Sequence, residues 1–82
     1  MAVPHVTLYV ADGCHLCEAA LEVVEAVRRD TPFALTVVDI GGDDQLERAY
    51  RVDLPVLEID GERAFRYVVT AGGLRERLTS RA

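Results

Sequence analysis

The chain contains no lysine. Its nine basic side chains are all arginine, set against fourteen acidic ones for a formal net charge of −5. The densest basic spot, Arg28-Arg29, is followed by Asp30 and suits the last turn of a helix, where cations complement the dipole. Phosphate-bearing partners need local positive charge, so neither nucleic acid nor an anionic membrane is an expected partner. No apolar run nears the roughly 20 residues of a membrane span. The opening Met1-Ala2-Val3-Pro4-His5 lacks the basic region and apolar stretch of a secretory signal, and a cytoplasmic location is the default that follows. There is no internal repeat and no low-complexity linker. With 82 residues there is no room for a second domain, so one domain over 1–82 is expected. Half the residues are apolar and 28% charged, the balance of a globular domain and not of a disordered tail.

Cysteine is also scarce: Cys14 and Cys17 are the only two, three positions apart. A disulfide closing so short a loop restrains the unfolded chain little, because the entropic gain grows with loop length. In a reducing compartment a C-x-x-C pair therefore points to catalysis or metal binding in preference to a structural staple.

The pair stands where a strand hands over to a helix. Residues 5–10, His-Val-Thr-Leu-Tyr-Val, are rich in β-branched and aromatic types, which suit a strand, and Ala11-Asp12-Gly13 turns the chain. From Cys14 to about Arg29 the apolar Leu16, Ala20, Leu21, Val24 and Val27 recur at three- and four-residue steps with glutamates opposite, the pattern of an amphipathic helix. Asp12 is a candidate cap, and Asp30-Thr31-Pro32 stops the helix because the residue before proline avoids helical dihedrals. Phe33 to Ile40 predicts a buried strand, ended by Gly41-Gly42. Asp43 or Asp44 caps a short helix to about Arg51, with Leu46, Ala49 and Tyr50 inward.

Val56-Leu57-Glu58-Ile59, then Asp60-Gly61, then Ala64 to Val68 predict a hairpin. Thr70 caps a last helix to about Thr79 with Leu74 and Leu78 inward. Gly72 and Gly73 in its first turn each cost about 1 kcal/mol against alanine, which calls either for close backbone approach or for a later helix start. The order β-α-β-α-β-β-α, with a right-handed parallel unit first and a hairpin last, gives an α/β domain: a mixed four-stranded sheet with helices on both faces.

A helix start offers unpaired N–H groups and the positive end of the dipole, and both favour a thiolate over a thiol. The same position leaves metal binding open. Cys14, His15 and Cys17 are soft ligands, but zinc takes four, so a zinc or iron–sulfur site would have to be shared across a dimer. His15 has two readings, an imidazole that stabilises the Cys14 thiolate or a solvated residue in the first turn. His5, Asp39 at a solvated strand end, and the aromatics Tyr9, Tyr50, Phe65 and Tyr67 are read as packing or rim residues.

Cys14-His15-Leu16-Cys17 at the end of the first strand, taken with Leu54-Pro55-Val56 and the Asp60-Gly61 hairpin in this element order, resembles the thioredoxin fold. Within that fold the chain is most similar to the small bacterial glutaredoxin-like family with a Gly-Cys-His-Leu-Cys start, over about residues 5 to 80. The resemblance implies a thiol–disulfide oxidoreductase with Cys14 as the nucleophile, its pKa depressed, and Cys17 as the buried resolving thiol. It further implies a cis peptide bond at Pro55 and a substrate-binding set of His15, Leu54 and Pro55, with the Leu54 backbone pairing with substrate. Protein or low-molecular-weight disulfides are the implied substrates of a monomer that holds no bound cofactor or metal. Glutathione is one candidate reductant, and three departures from the pattern of glutaredoxins that bind it bear on that role. Ala11 stands where a lysine or arginine usually precedes the first cysteine, Asp53-Leu54 replaces Thr-Val before the proline, and Val69-Thr70-Ala71-Gly72-Gly73 lacks the family's Gly-Gly-Asp. The alternative class is a non-catalytic thioredoxin-fold binding module.

Overall fold

The structure is a computed structural model in which residues 3–80 are described. Met1 and Ala2, at the head of the segment compared above with a secretory signal, lie outside the described residues, as do Arg81 and Ala82. The elements are β1 (His5–Val10), α1 (His15–Asp30), β2 (Ala34–Asp39), α2 (Asp44–Tyr50), a single 3₁₀ turn (Arg51–Asp53), β3 (Val56–Ile59), β4 (Glu62–Arg66) and α3 (Ala71–Thr79). The strands form one sheet in the order β2-β1-β3-β4. β1 and β2 run parallel, while β3 is antiparallel to both β1 and β4.

Alternation along β1 sorts its side chains between the two faces of the sheet. Val6 and Leu8 point to one face, where the register sets them opposite Ile59 and Leu57. There they meet Ala20, Val24 and Val27 of α1 and Leu74 and Leu78 of α3 in the main core. Tyr9 points the other way and stacks on Tyr50 of α2, with ring centroids 4.0 Å apart and planes 11° from parallel. Helices therefore lie on both faces. No helix among the described residues is long and apolar enough to cross a membrane.

The hairpin between β3 and β4 turns on Asp60 (φ 51°) and Gly61 (φ 85°), the two positive φ values that a tight two-residue turn demands. Asp43 caps α2, its Oδ1 accepting from the Gln45 and Leu46 N–H groups at 3.1 Å each. Thr70 caps α3 through the Gly73 N–H at 3.1 Å. The two glycines after it differ. A Cβ on Gly73 would lie 2.7 Å from Thr70 Oγ1 and 3.3 Å from the Phe65 ring, whereas one on Gly72 meets nothing within 4 Å. Close approach therefore explains Gly73 but not Gly72.

Four expectations change. β2 is an edge strand with no buried residue of its own, and Phe33 and Ile40 are buried just outside it. Its apolar run reads like a central strand, but with only one neighbour and partial helix cover Val37 stays 44% exposed. Leu16 is exposed, since it precedes Cys17, the first buried position of α1, and Ala49 is exposed on α2. β4 spans Glu62–Arg66 and not Ala64 to Val68, since the two-residue turn starts pairing directly after Gly61.

Candidate active site

β1 delivers the chain to a turn in which the Cys14 N–H reaches back to the Ala11 carbonyl at 3.4 Å. Gly13 sits within it at φ 74°, a left-handed conformation that strains any residue with a Cβ. Asp12 is exposed and does not cap α1. Cys14 does, its Sγ accepting from the Cys17 N–H at 3.1 Å. The correction has a simple cause: the turn carries the chain two residues further before helical dihedrals begin, so the side chain at the cap position is a sulfur. One of the helix's unpaired donors is thus aimed at that sulfur, where it favours negative charge.

Cys14 and Cys17 are joined as a disulfide, and their surroundings differ. Cys17 is 3% exposed and packs with Ile40 and Leu54. Cys14 is half-buried beside a groove of about 180 Å³ that Asp12 and Glu18 also line. Cys17 also lines that groove, and Cys14 is the more exposed of the two.

The register that pairs Tyr9 with Val56 sets the start of β3 beside the end of β1. Leu54 and Pro55, immediately before Val56, are thereby brought to the cysteine loop. Both are buried, and Leu54 touches the cluster around Cys17. The Leu54–Pro55 peptide bond is cis, as the resemblance implies, and Leu54 itself is extended (φ −60°, ψ 143°). Cys14, Cys17, Leu54 and Pro55 thus converge. His15 adjoins them at the first position of α1 but is exposed, and no hydrogen bond among the described residues holds its ring.

Sequence reasoning left out the groups that wall the site from beneath. Tyr9 and Tyr50, read as ordinary packing, flank the cluster around Cys17, and their hydroxyls converge on Glu58 at 3.4 and 2.9 Å. Burial, and then the adjacent Tyr9 hydroxyl and Glu58 carboxylate, push the Tyr50 phenol well above the usual tyrosine range, so it remains a neutral donor. Arg63 lies over the Tyr50 ring at 4.9 Å and reaches Asp53 at 3.1 Å. The one sequence signal was the arginine pair on β4, Arg63 and Arg66, across from the carboxylate before Leu54. Among the described residues, no group of three or more His, Cys, Asp and Glu side chains is placed to hold a metal ion.

Residues 5–79 match the family described as Glutaredoxin-like domain (DUF836). Among solved structures, protein XcR50 from X. campestris is 35% identical, with a TM-score of 0.80 over 94% of this chain and 99% of that one. Protein Ne2328 from Nitrosomonas europaea is 25% identical, also at a TM-score of 0.80, over 95% and 94% of the two chains. A thioredoxin from Halobacterium salinarum is 26% identical with a TM-score of 0.72, covering 96% of this chain and 74% of its own. A comparison with curated proteins gives no match. The fold is that of thioredoxin, and a cysteine pair joined at the start of α1 is compatible with redox chemistry.

Proposed function

The chain belongs to the glutaredoxin-like domain family, and from that premise we propose that it is a thiol–disulfide oxidoreductase with Cys14 as nucleophile and Cys17 as resolving thiol. One observation carries the reading: the Cys14 sulfur is the cap of α1 and receives the Cys17 N–H at 3.1 Å, while Cys17 is buried three residues on. In the reduced enzyme the Cys14 thiolate attacks one sulfur of a substrate disulfide. A Cys14–substrate disulfide forms and the other substrate sulfur leaves as a thiolate, which takes a proton from water. The Cys17 thiol then gives up its proton to water, and its sulfur attacks Cys14 Sγ and expels the second substrate thiolate, which is protonated in turn by water. Two electrons pass to the substrate, and the Cys14–Cys17 disulfide remains for an external thiol to reduce.

The substrate lies across Cys14 with its backbone along Leu54, before Pro55, and His15 borders it from the first turn of α1. Protein or low-molecular-weight disulfides suit so open a groove. Both electrons are carried by the sulfurs, so no bound cofactor enters the scheme. Glutathione is one candidate reductant, approaching a rim where Ala11 supplies no cation. The reading also has the protein act as a monomer in the cytoplasm.

Trapping tests it. Reduced Cys17→Ser mixed with a disulfide substrate should accumulate a covalent adduct on Cys14 that mass spectrometry detects, and Cys14→Ser should form none. No adduct on the first variant, or equal adducts on both, would refute the proposal.

A further inference from the structure

The segment that carries Leu54 and Pro55 is held from both sides by one residue. Tyr67 follows β4 and donates its N–H to the Pro55 carbonyl at 3.0 Å. Its hydroxyl lies 3.4 Å from Asp53 Oδ1, on the other side of Leu54. Tyr67 does this at φ 66°, a conformation costly for a residue with a Cβ and one that persists only where its surroundings impose it. The Asp53 carboxylate is fixed in turn, by Arg63 at 3.1 Å and Arg66 at 3.5 Å. Arg63 also donates to the Ala49 carbonyl at 3.0 Å, which ties α2 to the same point. Asp53 is only 19% exposed at its side chain, so this carboxylate works in a partly dry setting. Tyr67 itself is 43% exposed and adds little to the core.

We propose that Asp53 and Tyr67 are positioning residues for disulfide exchange, a staple that sets the Leu54 backbone at the height and angle a substrate strand needs opposite Cys14. The inference rests on the oxidoreductase reading and adds to it a determinant of substrate class. A disulfide embedded in a peptide, which has backbone groups to pair with Leu54, depends on the staple. A small disulfide without a peptide backbone meets Cys14 with far less dependence on it.

The experiment compares exchange with a disulfide-linked peptide and with hydroxyethyl disulfide, in wild type, Asp53→Ala, Asp53→Glu and Tyr67→Phe. Tyr67→Phe keeps the ring and the backbone N–H and removes only a hydroxyl, so a folded variant is available; circular dichroism and a thermal melt establish folding for each. The KM for the peptide, relative to that for hydroxyethyl disulfide, should rise about tenfold in Asp53→Ala and severalfold in Tyr67→Phe, the scale of losing hydrogen bonds to a charged group. The kcat for the peptide should change less than the KM, and Asp53→Glu should recover part of the loss. Folded variants whose two KM values stay put, or move together, overturn the staple while leaving the oxidoreductase reading intact. A wild type without exchange, or exchange that survives Cys14→Ser, overturns both.

Discussion

At the residue scale, the two cysteines share one chemistry and are told apart by a single N–H and by burial. Cys14 Sγ takes the Cys17 N–H, and Cys17 is closed over by Leu54 and Ile40. The tyrosine beneath them offers a pH test. Tyr50 has its folded pKa raised, by burial first and by Tyr9 and Glu58 after that. A raised folded pKa means that the folded state keeps its proton after the unfolded chain has lost it. The stability Tyr50 contributes is thus complete below the unfolded tyrosine value of about 10 and is lost as pH rises through the folded value. Urea denaturation between pH 8 and 11.5 should show wild type weakening more steeply above about pH 10 than Tyr50→Phe. Parallel profiles for the two proteins would contradict this. The Cys14-x-x-Cys17 spacing was legible from sequence because it is local, and the role of the proline at 55 because the family resemblance implied it. The tyrosine pair was not, because Tyr9 and Tyr50 meet only through the fold.

At the scale of elements, caps and glycines settle where helices begin. The sequence marked Asp43 or Asp44, and Thr70, as caps; Asp43 and Thr70 serve, because a short polar side chain before an apolar period is a local signal. Asp12 looked equally good and failed, since the turn through Gly13 at φ 74° places Cys14 at the cap. Gly72 and Gly73, alike in the sequence, should answer alanine in opposite directions. Gly72→Ala adds a Cβ in open space and should stabilise by up to about 1 kcal/mol through helix propensity. Gly73→Ala drives a Cβ into the capping Thr70 Oγ1 and the Phe65 ring. It should destabilise by about 1–3 kcal/mol, the usual range for overpacking, despite the same propensity gain. Chemical denaturation of the two variants decides it, and a stabilised Gly73→Ala would show that Thr70 yields.

At the scale of the whole molecule, the sheet order β2-β1-β3-β4 makes β1 and β3 the central strands, and Leu8 opposite Leu57 is one of their two inner pairs. Leu8→Ala should cost about 2–5 kcal/mol, a large share of the roughly 5–15 kcal/mol that holds a domain of this kind together. A loss below about 1 kcal/mol in urea denaturation would show that the core closes over the gap. What the sequence by itself determined is the set of elements and their order, together with the cysteine pair at a strand-to-helix junction. Periodicity, turn residues and helix stops act over a few residues and need no partner to be read. The tertiary structure decided which strand lies at the edge, which face each helix covers, and that Leu54-Pro55 comes to lie beside Cys14. It also gathered Tyr9, Tyr50, Asp53, Arg63 and Tyr67 around that segment. The physical reason is register: the pairing of β1 with β3 joins residues more than forty positions apart, and no local pattern in either stretch records which partner it will meet.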